Sequence, residues 1–235
     1  SYRSRTLQYF QQLAVITPYA HLKLEFECMR DEKKTFLAEF VRRSEQMPQQ
    51  PQEIAPHPRS LNIHTLTQLL NDSKQQSVQL FLCRELNCVS TATANAIAQQ
   101  LKIEDDYPSE LEVRQVAALQ QILRDEKAIK PPSSACLSPA GEYNIRLGVL
   151  KELSPRLVAT AADKPGSYNG HPFLVEAAVS IGGSKVREGI NVYRFANRIP
   201  LLFEAGADVV SQVANKRIKW SSYLINPATD AIGVY

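Results

Sequence analysis

Three cations, Lys216, Arg217 and Lys219, stand within four positions near the end of the chain, and no acid interrupts the stretch from Ser211 to Asn226. Side chains of this type neutralise phosphates. Each such contact releases counterions condensed on a nucleic-acid duplex, so a local cluster binds where the average charge of a chain does not. Trp220 and Tyr223 lie beside the cluster and offer flat surfaces on which a base or sugar packs. Contacts made this way go to the backbone and are largely indifferent to base sequence. Packing beneath the cluster is the alternative role for Trp220, because tryptophan is highly buried on average.

Little else in the chain has the spacing of a catalytic site. Gly182-Gly183-Ser184 lacks the glycine-lysine pattern of a phosphate-cradling loop, no Gly-x-Gly-x-x-Gly occurs, and a β-turn accounts for the two glycines. His21, His57 and His64 are scattered and suggest no triad. His171, followed by Pro172, reads as a strand-edge residue. Asp105 and Asp106 sit in a polar stretch as solvated carboxylates. Cys28, Cys83, Cys88 and Cys136 contain no Cys-x-x-Cys pair, and no histidine follows at zinc-finger spacing. Reduced thiols are therefore expected, with no structural zinc. No stand-alone active site is expected: no catalytic, cofactor-binding or metal-binding residue.

The composition agrees with a role of local rather than global charge. Lys+Arg 27 against Asp+Glu 24 leaves +3 over 235 residues, too small a surplus for a uniformly basic coat. Apolar residues at 44% and charged residues at 22% are ordinary for a globular protein. The length suits one large domain or two to three small ones. No apolar run approaches the ~20 residues of a membrane span, and the opening SYRSRTLQYF is no signal peptide. Both ends read as cut. The chain opens on a helix, Arg5 to Ala14, and closes on AIGVY, which reads as a half-built strand at an unsatisfied sheet edge. A fragment is expected.

The elements that must carry these residues fall into three blocks. The first, to about Arg43, holds the short helix. It continues into LKLEFEC, where Leu22, Leu24, Phe26 and Cys28 alternate with charged residues, then a polar MRDEKK turn and TFLAEFVRR as the returning strand. From Ser44 to Ser60 the prolines at 48, 51, 56 and 58 allow neither a helix nor a central strand, and the segment reads as a stiff linker. The second block, Leu61 to about Lys127, is helical. Asn62 precedes IHTLTQLLND, SVQLFLCREL follows, and ANAIAQQL places Ala94, Ile97, Ala98 and Leu101 at helical spacing. Ser109 and Glu112 have capping-box spacing before a fourth helix. In the third block, from Cys136, Ser138-Pro139 reads as the cap and first turn of the helix GEYNIRLGVLKEL. HPFLVEAAVSI and INVYRFANRIPLLF are β-rich, a further helix lies near ADVVSQVANKRI, and a short strand is expected before AIGVY. Strands and helices without a strict βαβ rhythm predict an α+β fold.

Four strings carry a family resemblance: LQYFQQLAVITPYAHLKLEF (Leu7 to Phe26), CLSPAGEYNIRLGVLKEL (Cys136 to Leu153), YNGHPFLVEAAVSIGG (Tyr168 to Gly183) and VYRFANRIPLLFEAGADVV (Val192 to Val210). Together they resemble the B subunit of DNA topoisomerase VI, a type IIB topoisomerase, and its plant-type form more than the archaeal one. The resemblance implies an ATPase of the GHKL type whose ATP-binding domain leads into a helix–two-turns–helix domain and a transducer. Residues 1–43 would be the end of the ATPase domain and 44–60 the linker. Residues 61–128 would be the all-α helix–two-turns–helix domain, and 136–235 a truncated α+β transducer of the ribosomal-S5-domain-2-like type. By the same resemblance ATP, with Mg²⁺, drives B-subunit dimerisation. The transducer passes the motion to an A subunit that cleaves duplex DNA, in an A2B2 heterotetramer located in the nucleus. The family's nucleotide-binding residues are expected upstream of residue 1 and its γ-phosphate lysine just beyond Tyr235, so no ATP or Mg²⁺ contact is expected within these residues.

The archaeal family also has a Trp-Lys-x-Tyr element implicated in DNA engagement. It matches Trp220-Ser221-Ser222-Tyr223 here, with serine at the lysine position and Lys216, Arg217 and Lys219 directly before it. The DNA-binding candidates are therefore Lys216, Arg217, Lys219, Trp220 and Tyr223. The competing readings are a meiotic topoisomerase-like B scaffold for double-strand-break formation, a stand-alone DNA-binding module, and a truncated, non-functional gene model.

Overall fold

The computed structural model describes residues 2–29, 32–203 and 208–235. In chain order the elements are α1 (Tyr2–Ile16), β1 (Leu22–Phe26), β2 (Phe36–Phe40), α2 (Ile63–Asp72), α3 (Val78–Glu85), α4 (Thr91–Leu101), α5 (Val113–Asp125) and α6 (Glu142–Leu153). There follow β3 (Leu157–Ala162), β4 (Gly166–Tyr168), β5 (His171–Phe173), β6 (Glu176–Ile181), β7 (Gly189–Val192), β8 (Phe195–Ala196), β9 (Ile199–Pro200), α7 (Val209–Gln212) and β10 (Ala231–Val234). The fold is mixed α+β. It divides into two compact units: residues 1–49, 138–163 and 175–235 form one, and residues 50–137 and 164–174 the other. The turn expected at MRDEKK falls partly on Arg30 and Asp31, outside the described residues.

The second unit is built on α2–α5. Helices of eight to thirteen residues are marginal by themselves, so packing decides their stability. Leu66, Leu70, Phe81, Leu82, Ile97, Ile103, Leu119 and Leu123 are fully buried in one cluster, each worth about 1.5–3 kcal/mol relative to exposure. Side chains cap the helix starts: Asn62 accepts from the Thr65 N–H at 2.9 Å, Ser77 from Leu80 at 3.3 Å and Ser90 from Thr93 at 3.1 Å. The fourth helix departs from expectation. Ser109 lies in a separate 3₁₀ turn, Pro108–Glu110, and the cap is Glu112, whose N–H donates to Gln115 Oε1 at 2.8 Å. Pro108 takes up the first position of its own turn, and the helix frame slides by three residues.

His57 is buried in this unit. Its Nδ1 accepts from the Arg59 N–H at 3.2 Å, which leaves Nε2 to donate to Lys130 O at 2.9 Å. Burial pushes its pKa down, opposed by the bond to Lys130 O and reinforced by the charges of Arg59 and His171. The β4–β5 hairpin belongs to the same unit, and Gly170 at its turn has φ +78°. A Cβ there would stand 2.6 Å from Ser60 N and 2.9 Å from His57 Nδ1. The sequence-expected run His171–Ile181 is thus two strands in different units.

The first unit holds a four-stranded sheet in the order β3-β6-β10-β7. Here the AIGVY expectation is corrected. β10 is a central strand, antiparallel to β6 (Ile232 opposite Ile181) and parallel to β7 (Ile232 opposite Ile190). A short run that is apolar on both faces is what a doubly paired, buried strand requires, and its partners come from distant segments that periodicity does not reveal. Gly233 has no space for a Cβ, which would strike the Tyr235 hydroxyl and lie 2.6 Å from Ser180 Oγ. Tyr235 bonds Ser180 Oγ at 3.1 Å and stacks on Tyr193 with ring centroids 4.9 Å apart; burial pushes its phenol pKa up.

Helices α1 and α6 pack together in this unit, closely enough that a Cβ on Gly148 would strike the Val15 carbonyl. Ser138 does not cap α6. Its hydroxyl donates to Gln49 O at 2.6 Å, and the cap residue is Gly141 at φ +86°. The helix start is held from the sheet instead: Glu176 of β6 accepts the N–H groups of Ala140 at 2.8 Å and Gly141 at 2.7 Å. A carboxylate satisfies orphan donors and complements the positive helix end. The proline segment has no helix or strand over residues 41–57, yet its backbone is engaged. Asn144 Nδ2 donates to Gln46 O within the first unit, and in the second unit Gln52 N–H donates to Ala135 O and Asn87 N–H to Pro56 O.

Candidate nucleic-acid interface

The candidate site follows directly on α7, whose first turn is capped by Asp208: Oδ1 accepts the Ser211 N–H at 2.9 Å. That backbone bond first, then the Ser211 hydroxyl and the nearby Arg194 guanidinium, hold the Asp208 pKa at about 2. Arg194 Nη1 lies 3.1 Å from Asp208 Oδ2 and its Nη2 donates to Phe203 O. The start of the segment is thereby fixed to the unit. Residues Glu204–Ala207, within the family-like string Val192–Val210, lie outside the described residues.

Beyond Gln212 the helix widens to a π-turn, Val213–Arg217, closed by Ile218 N–H on Val213 O at 3.1 Å. Such turns are rare and recur at functional sites. Ala214 is buried, whereas Lys216 and Arg217 are exposed. The chain then passes through exposed Lys219 into a 3₁₀ turn, Trp220–Tyr223, and the short strand expected before AIGVY does not form between α7 and β10 among the described residues. Ser222 N–H closes this turn on Lys219 O at 3.0 Å, and Leu224 ends it in a left-handed conformation with φ +59°.

The five sequence-derived candidates separate by burial. Lys216, Arg217, Lys219 and Tyr223 are exposed, Tyr223 at 70%. Trp220 is 6% exposed, and its indole N–H donates to Ala214 O at 2.8 Å. It packs with Ala214, Ile232 and Val234, flanked by Val179, Ile181, Ile190 and Val192 of the sheet. A ring in that position has no free face for a base. The arrangement presents three cations and one phenol ring on a short surface segment, anchored below by a tryptophan. It can neutralise phosphates and pack a sugar; it carries no nucleophile–base pair.

Among the described residues no group of three His, Cys, Asp or Glu side chains is placed to hold a metal ion. Gly182 and Gly183 back onto Arg156 and Pro155 rather than opening a helix N-terminus. Neither glycine therefore forms a phosphate cradle. The four cysteines are free thiols, and among the described residues no helix is long and apolar enough to cross a membrane.

Residues 132–235, which include the whole basic segment and its supporting sheet, match the family described as topoisomerase VI B subunit, transducer. Over its full length the chain is 44% identical to the DNA topoisomerase 6 B subunit of Arabidopsis thaliana, covering 35% of that protein. It is 42% identical to the protein of the same name from Oryza sativa subsp. indica, again over the full chain and 34% of the relative. Similarity extends to the type 2 DNA topoisomerase 6 B subunit of Archaeoglobus fulgidus, at 32% identity over 92% of this chain and 35% of the relative. The chain spans about a third of the length of these curated relatives.

Proposed function

Because the chain belongs to the topoisomerase VI B-subunit family, we propose that it couples ATP binding and B-subunit dimerisation to passage of one DNA duplex through another. The cleaving partner is an A subunit, in an A2B2 heterotetramer working on duplex DNA in the nucleus. ATP and Mg²⁺ are ligands of the full-length protein, and no residue of this chain is assigned to them. Within that enzyme this stretch is a mechanical and DNA-contacting element. Coupling needs packed elements with discrete arrangements rather than catalytic side chains. The tight α1–α6 contact at Gly148 and the doubly paired central strand are elements of that kind.

The observation that carries the DNA contact is the exposure of Lys216, Arg217 and Lys219 on a turn anchored by buried Trp220. Replacing the three cations by Ala in a full-length protein carrying this segment, assembled with its DNA-cleaving partner, should leave ATP binding intact and slow ATP-dependent relaxation of supercoiled DNA. Relaxation at the unmodified rate would remove the segment from the DNA path.

A further inference from the structure

The basic turn carries two hydroxyls that a phosphate contact does not require. Ser221 and Ser222 are exposed, within a run of exposed and half-buried residues Ser221–Ile225. Lys216, Arg217 and Lys219 precede them, and no acid lies between Ser211 and Asn226. The turn geometry distinguishes the two serines. Lys219 caps the turn from outside it, at φ −87° and ψ 82°, and its carbonyl accepts the Ser222 N–H at 3.0 Å. That bond holds the Ser222 backbone directly to Lys219, three positions before it, with Ser221 in the span between them. Buried Trp220, bonded to Ala214 O at 2.8 Å, fixes the backbone between them.

We propose that Ser222 is a phosphorylation site that switches this DNA contact off. The proposal rests on the reading of Lys216, Arg217 and Lys219 as the phosphate-contacting cations. The agent is a serine kinase whose acidic substrate groove selects cations upstream of the target, and Lys219, Arg217 and Lys216 stand three, five and six positions before Ser222. Ser222 Oγ forms a bond to the γ-phosphorus of Mg²⁺-ATP, the bond from that phosphorus to the β–γ bridging oxygen breaks, ADP leaves, and the hydroxyl proton passes to the kinase's base. The product adds a charge of about −1.5 to −2 and three strong acceptor oxygens. Lys219 and Arg217, three and five positions before Ser222, are the cations that such a phosphate would pair with. About two of the three cationic charges are then neutralised internally. Duplex affinity at low salt should fall on the order of tenfold or more, and the log–log salt slope should flatten from about −2.7 to about −0.9.

The test treats the folded chain with Mg²⁺-ATP and a kinase selective for upstream cations. Fragmentation mass spectrometry locates the phosphate, and a short fluorescent DNA duplex titrated at several salt concentrations reads binding. The expected result is phosphate on Ser222 in the wild-type chain and in Ser221→Ala, none at that position in Ser222→Ala, and weaker, salt-flattened binding only where Ser222 is modified. Ser222→Asp should move binding in the same direction by a smaller factor. Phosphate placed on Ser221 instead, modification of Ser222 only after unfolding, or unchanged binding by the phosphorylated chain would each overturn the switch while leaving the DNA reading intact. If the unmodified chain binds duplex without any salt slope, the DNA reading itself fails and the switch falls with it, and this arm is read before any kinase is added.

Discussion

The indole N–H of Trp220 donates to the carbonyl oxygen of Ala214 at 2.8 Å, tying the 3₁₀ turn of the basic segment to the π-turn before it. Trp220→Ala should destabilise the unit by about 3–5 kcal/mol, the cost of emptying a buried aromatic site. Trp220→Phe keeps most of the packing and should cost only about 1–3 kcal/mol, for the orphaned carbonyl and the smaller ring. Urea unfolding of both variants gives the comparison. A Trp220→Ala chain of unchanged stability that no longer binds DNA would return the ring to the interface.

The exposed cations should act additively on DNA. With three phosphate contacts the duplex-binding constant of the chain should fall with salt along a log–log slope of about −2.7. Each single replacement of Lys216, Arg217 or Lys219 by Ala should take about 0.9 from that slope. Trp220→Phe should leave the slope where it was, because a buried ring releases no counterions. A slope insensitive to all three cations would place the contact elsewhere.

Glu176 should matter to a helix it does not belong to. Its carboxylate holds the Ala140 and Gly141 N–H groups at 2.8 and 2.7 Å, and hydrogen bonds to a charged group contribute about 1.5–3 kcal/mol. Glu176→Ala should lower stability by roughly that amount and Glu176→Gln by less, since one amide oxygen remains to accept. Equal losses in the two variants, measured by denaturant midpoint, would mean that the charge and not the acceptor geometry supports α6.

His57 gives the protein a pH dependence of known sign. Burial lowers its folded pKa below the ordinary value of 6.5, so between the two values the unfolded chain binds more protons than the folded one. Stability is then fully present above the unfolded pKa, near 6.5, and is lost progressively as pH falls toward the depressed folded value. Protonation would also set a proton on Nδ1 against the Arg59 N–H it now accepts. Thermal midpoints between pH 7.5 and 5 should fall in the wild-type chain and fall less steeply in His57→Gln. Parallel slopes would assign the dependence to other groups.

The helical block was readable because its information is local. Asn62 caps α2, and Ala94, Ile97 and Ala98 repeat at helical spacing and are all buried. Even there Ser109 misled, since a spacing rule does not register that Pro108 starts a turn of its own. The third block was less readable because its determinants are distant in sequence. Ser138-Pro139 looks like a helix start, but the donors at α6 are satisfied by Glu176, more than thirty residues on. AIGVY looks like an edge, but both partners of Ile232 lie over forty residues upstream. For the candidate site, the three cations were found by charge pattern and Tyr223 by its place beside them, and all four are exposed. The anchoring of Trp220 depends on sheet residues that no local window contains.

The contact between Val15 and Gly148 joins segments more than 130 positions apart, with nearly all of the helical unit lying between them in the chain. During synthesis, α1 therefore emerges long before the surface that buries it, while α2–α5 find most of their partners within some sixty residues. Loop-closure entropy favours the short separations. The helical unit should collapse first and early, and the apolar side of α1 should remain a substrate for chaperones until α6 appears. Loss of contacts at Gly148 would then show itself as a fall in the yield of folded chain from the ribosome before it showed as a weaker finished structure.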